Sequence, residues 1–97
     1  MAAYVIITRE SPFRDEEAYA EYRRTSGQAR GDFKMKPVVV YGALEPLEGK
    51  PPEGVVMLEF PTVAEAKAWY ESPAYQAALK HRLRSADWRA VIVEGLG

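Results

Sequence analysis

Four stretches of the chain gather β-branched and aromatic residues into runs of strand length: AYVIIT at 3–8, PVVVYGAL at 37–44, GVVMLEF at 54–60 and WRAVIVEG at 88–95. Three of the four are almost continuously apolar, the pattern of strands covered on both faces rather than half-solvated. Between the first and second, RDEEAYAEYRRTSGQA carries Ala18, Tyr19, Tyr22 and, less cleanly, Arg23 at helical spacing. Asp15, Glu16 and Glu17 lead this segment, where the helix dipole favours negative charge, and Gly31 offers a stop signal. The spacing therefore predicts a first helix.

The second helical region is interrupted. After Phe60, Thr62 and Glu65 form a capping box, and Val63, Ala66, Trp69 and Tyr70 make an apolar stripe. Ser72-Pro73 then falls inside the pattern, where a proline in a helix interior costs about 3 kcal/mol or more. A serine followed by proline is also the signature of a helix start, because the serine hydroxyl caps a free backbone N–H and proline at the first position has none to satisfy. The break thus predicts a second helix start, with Tyr75, Ala78, Leu79 and either Arg82 or Leu83 turned inward. The connection EPLEGKPPEG between the middle strands is too rich in proline and glycine for helix and predicts a long hairpin.

The order is β-α-β-β-α-β. Right-handed crossovers put both helical regions on one face of a four-stranded antiparallel sheet, the ferredoxin-like α+β arrangement. The opposite face is left bare. With Tyr4, Ile6, Val55, Met57 and Ile92 assigned to it, several large side chains worth roughly 1.5–3 kcal/mol each when buried would stay in water. A patch of that kind marks an interaction surface, and a second copy packed sheet to sheet is the simplest cover. The expectation is a homodimer, a dimeric α/β barrel.

Composition narrows the functional classes. The 97 residues, 47% hydrophobic and 28% charged, fit a single domain spanning 1–97. Thirteen basic against fourteen acidic residues, with the signs interleaved, give no electrostatic footprint for nucleic acid or an anionic membrane. No cysteine is present, so disulfides, thiolate nucleophiles and thiolate metal sites are excluded, and one histidine is too few for most zinc sites. The N-terminal MAAYVIITRE lacks the form of a signal peptide, and no stretch approaches the ~18 apolar residues of a spanning helix, so a cytoplasmic location is expected. No dinucleotide-binding or P-loop glycine pattern appears, and no cofactor is expected.

The segments AAYVII, EAYAEYRR, LEFPTVAEAKAWYESPAYQAA and VIVEG together resemble the domain of unknown function 1330 family, small proteins of the dimeric α/β-barrel type. The run Trp69, Tyr70, Ser72, Pro73, Tyr75 is the most specific part of the likeness. The resemblance implies a ferredoxin-like fold and no settled activity. It departs from the family pattern in GDFKMKPVVVYG, where a glycine pair is usual, and in His81, where an apolar residue is expected. Haem-degrading members of the wider superfamily use a strand asparagine, and this chain has none.

Four groups of residues carry candidate chemistry. His81 is a proton-transfer candidate because an imidazole can serve as acid or base, against the plainer reading of a partly exposed histidine on the outer helix face. Glu59, inside MLEFP, is a candidate general base, against a structural ion pair with Arg9, Arg82 or Arg89. Arg82, or Arg23, would hold developing negative charge. Tyr22, Arg23, Trp69, Ser72 and Tyr75 would line a ligand cleft between helices and sheet, against simple core packing. Two functions follow. The first is a dimer binding a small organic metabolite, with cofactor-free catalysis as an extension. The second is a dimeric interaction or stress-response module without an active site, whose mark would be a cleft filled by Trp69, Tyr70, Tyr75 and Leu79.

Overall fold

The structure, a computed structural model, describes residues 1–96. Its elements run β1 (Ala3–Arg9), α1 (Glu16–Gln28), β2 (Lys36–Val40), β3 (Gly54–Phe60), α2 (Val63–Glu71), α3 (Pro73–Ser85) and β4 (Trp88–Glu94). The sheet order is β2-β3-β1-β4 with every neighbouring pair antiparallel, the ferredoxin-like topology that the sequence predicts.

Register decides which side chains share a face, because directly paired residues point the same way. Val5 lies between Leu58 and Ile92, and Ile7 between Val56 and Ala90. Val5, Ile7, Leu58 and Phe60 are buried with Ala66, Trp69, Tyr75 and Leu79 of the helices, so this face carries the core. The alternate positions Tyr4, Ile6, Val55, Met57, Val91 and Val93 form the opposite face, where Val91 and Val93 are 53% and 46% exposed. Ile92 corrects the expectation: its pairing with Val5 turns it toward the helices, and its neighbours Val91 and Val93 take the bare face.

The second strand is shorter than its apolar run, ending at Val40 rather than at position 44. Tyr41 adopts a left-handed backbone with φ 53°, costly for a bulky residue, and this turns the chain out of the sheet. The Tyr41 ring lies against Gly54, where a Cβ would come within 2.8 Å of it.

Ser72 serves two helices at once. Its Oγ donates to the Trp69 carbonyl at 2.7 Å, closing α2, and accepts from the Tyr75 N–H at 3.3 Å, opening α3. Gln76 Nε2 donates to the Tyr70 carbonyl, which the bend leaves free. Ser72→Ala is expected to lower the unfolding free energy by about 1 kcal/mol, read as a shifted urea midpoint at constant slope. Ser72→Thr, which keeps the hydroxyl, should recover most of the loss.

The N-terminus of α1 is tied to the C-terminus of α3. Asp15 caps α1 by accepting from the Ala18 N–H, while the Arg14 and Asp15 N–H groups donate to the Ser85 carbonyl. α1 consequently packs along α3 rather than down onto the sheet. A space remains beneath it.

Candidate functional site

That space is a cleft of about 570 Å³ between α1, α3 and the helix-bearing face of the sheet. Its floor is Ile7, Val56 and Leu58, and its walls carry Phe13, Tyr19, Tyr22, Tyr41, Trp69 and Trp88. Three cations, Arg9, Arg23 and Arg82, and one carboxylate, Glu53, complete it.

The aromatic wall is continuous. Tyr19 stacks on Trp88 with centroids 5.9 Å apart and planes 18° off parallel, and Phe13 meets Tyr19 at 4.6 Å. The Tyr19 hydroxyl donates to that of Tyr41, linking α1 to the end of β2 across the mouth. Deeper in, the Tyr22 and Tyr75 hydroxyls bond at 2.9 Å, and Tyr75 packs on Trp69 at 4.1 Å.

Arg82 is the unusual member. It is 2% exposed, and its Nε and Nη1 have no hydrogen-bond partner. The guanidinium lies over the rings of Trp88 and Tyr22 at 5.2 and 5.8 Å, contacts that favour a cation but do not use its N–H donors. The ion pairs among the described residues involve Arg14, Arg24, Arg84 and Arg89, not Arg82. Arg9 shows the same feature in milder form, its Nη1 donating to the Ser11 carbonyl, its guanidinium over Phe13 at 3.9 Å and its Nε buried without a partner.

Burial raises the ionisation of Tyr22, Tyr41 and Tyr75 above the ordinary phenol range. For Tyr22 the neighbouring Tyr75 adds to the effect of burial, whereas for Tyr75 the Arg82 charge opposes it. All three phenols therefore stay protonated at physiological pH and act as hydrogen-bond donors rather than bases.

Of the residues singled out in the sequence, Tyr22, Arg23, Trp69 and Arg82 line the cleft together. Tyr75 stands directly behind Tyr22, fully buried. Ser72 uses its hydroxyl in the helix junction and does not reach the cleft. Glu59 pairs in register with Tyr4 and Lys36, so it sits on the bare face, across the sheet from the cleft and away from Arg82. His81 is not among the cleft residues; Glu21 of α1 has its carboxyl held below its usual range chiefly by the Arg24 hydrogen bond, with His81 the smallest contributor. Arg82, not Leu83, takes the inward position, Leu83 being 54% exposed.

Sequence reasoning did not assign Arg9, Phe13, Tyr19, Tyr41, Glu53 or Trp88 to the site. Arg9 and Trp88 are register partners at the ends of adjacent strands, a proximity that appears only once pairing is known. Among the described residues, no three histidine, cysteine, aspartate or glutamate side chains converge as metal ligands, and no helix is long and apolar enough to cross a membrane.

The model of the family described as Domain of unknown function (DUF1330) matches residues 2–96. None of the curated proteins compared with the chain matches it. Among solved structures, a protein of unknown function from Rhodopseudomonas palustris is 24% identical with a TM-score of 0.69, over 99% of this chain and 83% of that one. A dimeric protein of unknown function with a ferredoxin-like fold from Bacteroides fragilis is 16% identical with a TM-score of 0.57, over 97% and 96%. A Dabb family protein with a ferredoxin-like fold from Mesorhizobium loti is 10% identical with a TM-score of 0.66, over 99% and 98%.

Proposed function

We propose that this chain, which belongs to the DUF1330 family, binds a small organic molecule in the cleft beneath α1 and works as a homodimer joined through its bare sheet face. The observation that carries the reading is the open cleft itself. At about 570 Å³ it falls in the range of small-molecule sites, and aromatic walls with a few polar groups are what such sites use. The rival reading, a module without a site, required Trp69, Tyr70, Tyr75 and Leu79 to fill this space, and they leave it open. The dimer is supported by the apolar positions on the uncovered face and by the dimeric Bacteroides fragilis relative of the same fold.

The reading is one of binding. The two candidates for proton transfer, Glu59 and His81, are not among the cleft residues, and the phenols that are keep their protons. No cofactor is invoked, and the site of action is the cytoplasm.

Native mass spectrometry of the protein purified gently from its own cells tests this. A dimer carrying a defined additional mass is expected, and Ser26→Trp, which fills the cleft from the α1 side, is expected to lose that mass while remaining a dimer. A bare dimer for the unaltered chain would favour the interaction-module reading instead.

A further inference from the structure

We propose that the ligand is a flat aromatic monocarboxylate whose carboxylate is held by Arg82 and whose ring lies among Tyr19, Tyr22 and Trp88; this rests on the cleft being a binding site. Arg82 is almost wholly buried, and an unpaired ion in that position is expensive to maintain. Its Nε belongs to the side-on edge of the guanidinium fork and its Nη1 to the end-on edge, so a donor on each edge lacks an acceptor. A carboxylate is the planar acceptor that matches such an edge with two parallel hydrogen bonds.

The polarity of the whole cleft points the same way. The buried polar atoms of lining residues that lack partners are Arg9 Nε, Trp69 Nε1, Arg82 Nε and Arg82 Nη1, and every one of them is a donor. The two buried carboxylate oxygens without partners, on Glu10 and Glu65, belong to residues outside the cleft. A ligand that complements the site therefore brings acceptors and negative charge.

Although Arg9 and Arg23 also line the cleft, two features oppose a second negative charge beside the one Arg82 holds. Ser26 and Gly27, in the last turn of α1, present the negative end of the helix dipole to the cleft, and Glu53 adds a carboxylate to its lining. A phosphate or dicarboxylate would meet both. The remaining lining is rings and aliphatic side chains, which suit a flat apolar body.

Isothermal titration of the dimer with 2-naphthoate and with its uncharged isostere 2-naphthamide tests the assignment. The acid is expected to bind at least about tenfold more tightly than the amide, the size of effect given by one charge-assisted hydrogen-bonded pair. Arg82→Met should abolish that preference without loss of thermal stability, since an apolar side chain of similar length replaces a buried unpaired charge. Arg82→Lys, which keeps the charge but loses the fork, should keep only part of the preference. A purely structural Arg82 would alter the melting temperature in these variants and leave the acid-to-amide ratio where it was. Equal binding of acid and amide by the unaltered protein overturns the carboxylate assignment and leaves the cleft reading standing. Binding of neither overturns both.

Discussion

Replacing Trp69 by alanine is expected to cost about 3–5 kcal/mol of folding stability, the range for deleting a large buried aromatic. Trp69 is 2% exposed and holds together the contacts between α2, α3 and the sheet, with Tyr75 at 4.1 Å and Phe60 at 5.4 Å. Domains of this size have roughly 5–15 kcal/mol in total, and each kcal/mol displaces the melting temperature by roughly 4–8 °C. The variant should therefore approach unfolding at ambient temperature. Trp69→Phe separates packing from polarity. The indole Nε1 is buried without a partner, so removing it forfeits no hydrogen bond, and the cost should fall to roughly 1–2 kcal/mol. Chemical denaturation of both variants checks the pair, and a phenylalanine variant as unstable as the alanine one would mean that the indole nitrogen has an acceptor after all.

The path from sequence to fold was short where local chemistry speaks plainly. Runs such as VII and GVVMLEF place strands because β-branched side chains fit a pleated surface, and Ser72-Pro73 marks a helix start because both residues answer the same problem of free N–H groups. Face assignment was harder. In β4 the run AVIV has no polar alternation, so nothing local says whether Ile92 or its neighbours point to the helices, and only pairing with Val5 decides it. In MLEF the clue was present: Leu58 and Phe60 are buried, so the residue between them must turn to the other face.

The cleft was legible in part, for a related reason. Helical spacing reveals Tyr22, Trp69 and Arg82 because residues three and four apart share a face within one element. It equally shows that His81, one position before Arg82, must turn about 100° away. The missing wall comes from strand ends and loops, where Arg9, Phe13, Tyr41, Glu53 and Trp88 are brought together by tertiary register and by the left-handed turn at Tyr41. No periodicity in the chain encodes that convergence.

Met57→Asp is expected to convert the proposed dimer to a monomer that is still folded. Met57 occupies the middle of the bare face, between Ile6 of β1 and Val39 of β2, and it is only half-buried in the single chain. In the monomer an aspartate there meets water, and the penalty is a strand-propensity term of about 1 kcal/mol or less. In a sheet-to-sheet dimer the symmetry brings two carboxylates into an apolar contact, and desolvation costs several kcal/mol for each ion. The difference should raise the dimer dissociation constant by at least about a thousandfold, with the far-ultraviolet circular dichroism unchanged. Sedimentation of the unaltered and altered chains measures it. A substituted chain that sediments as the unaltered dimer does would move the interface off this face. An unaltered chain that sediments as a monomer would leave Ile6, Met57, Val91 and Val93 in water and remove the energetic reason for proposing the dimer.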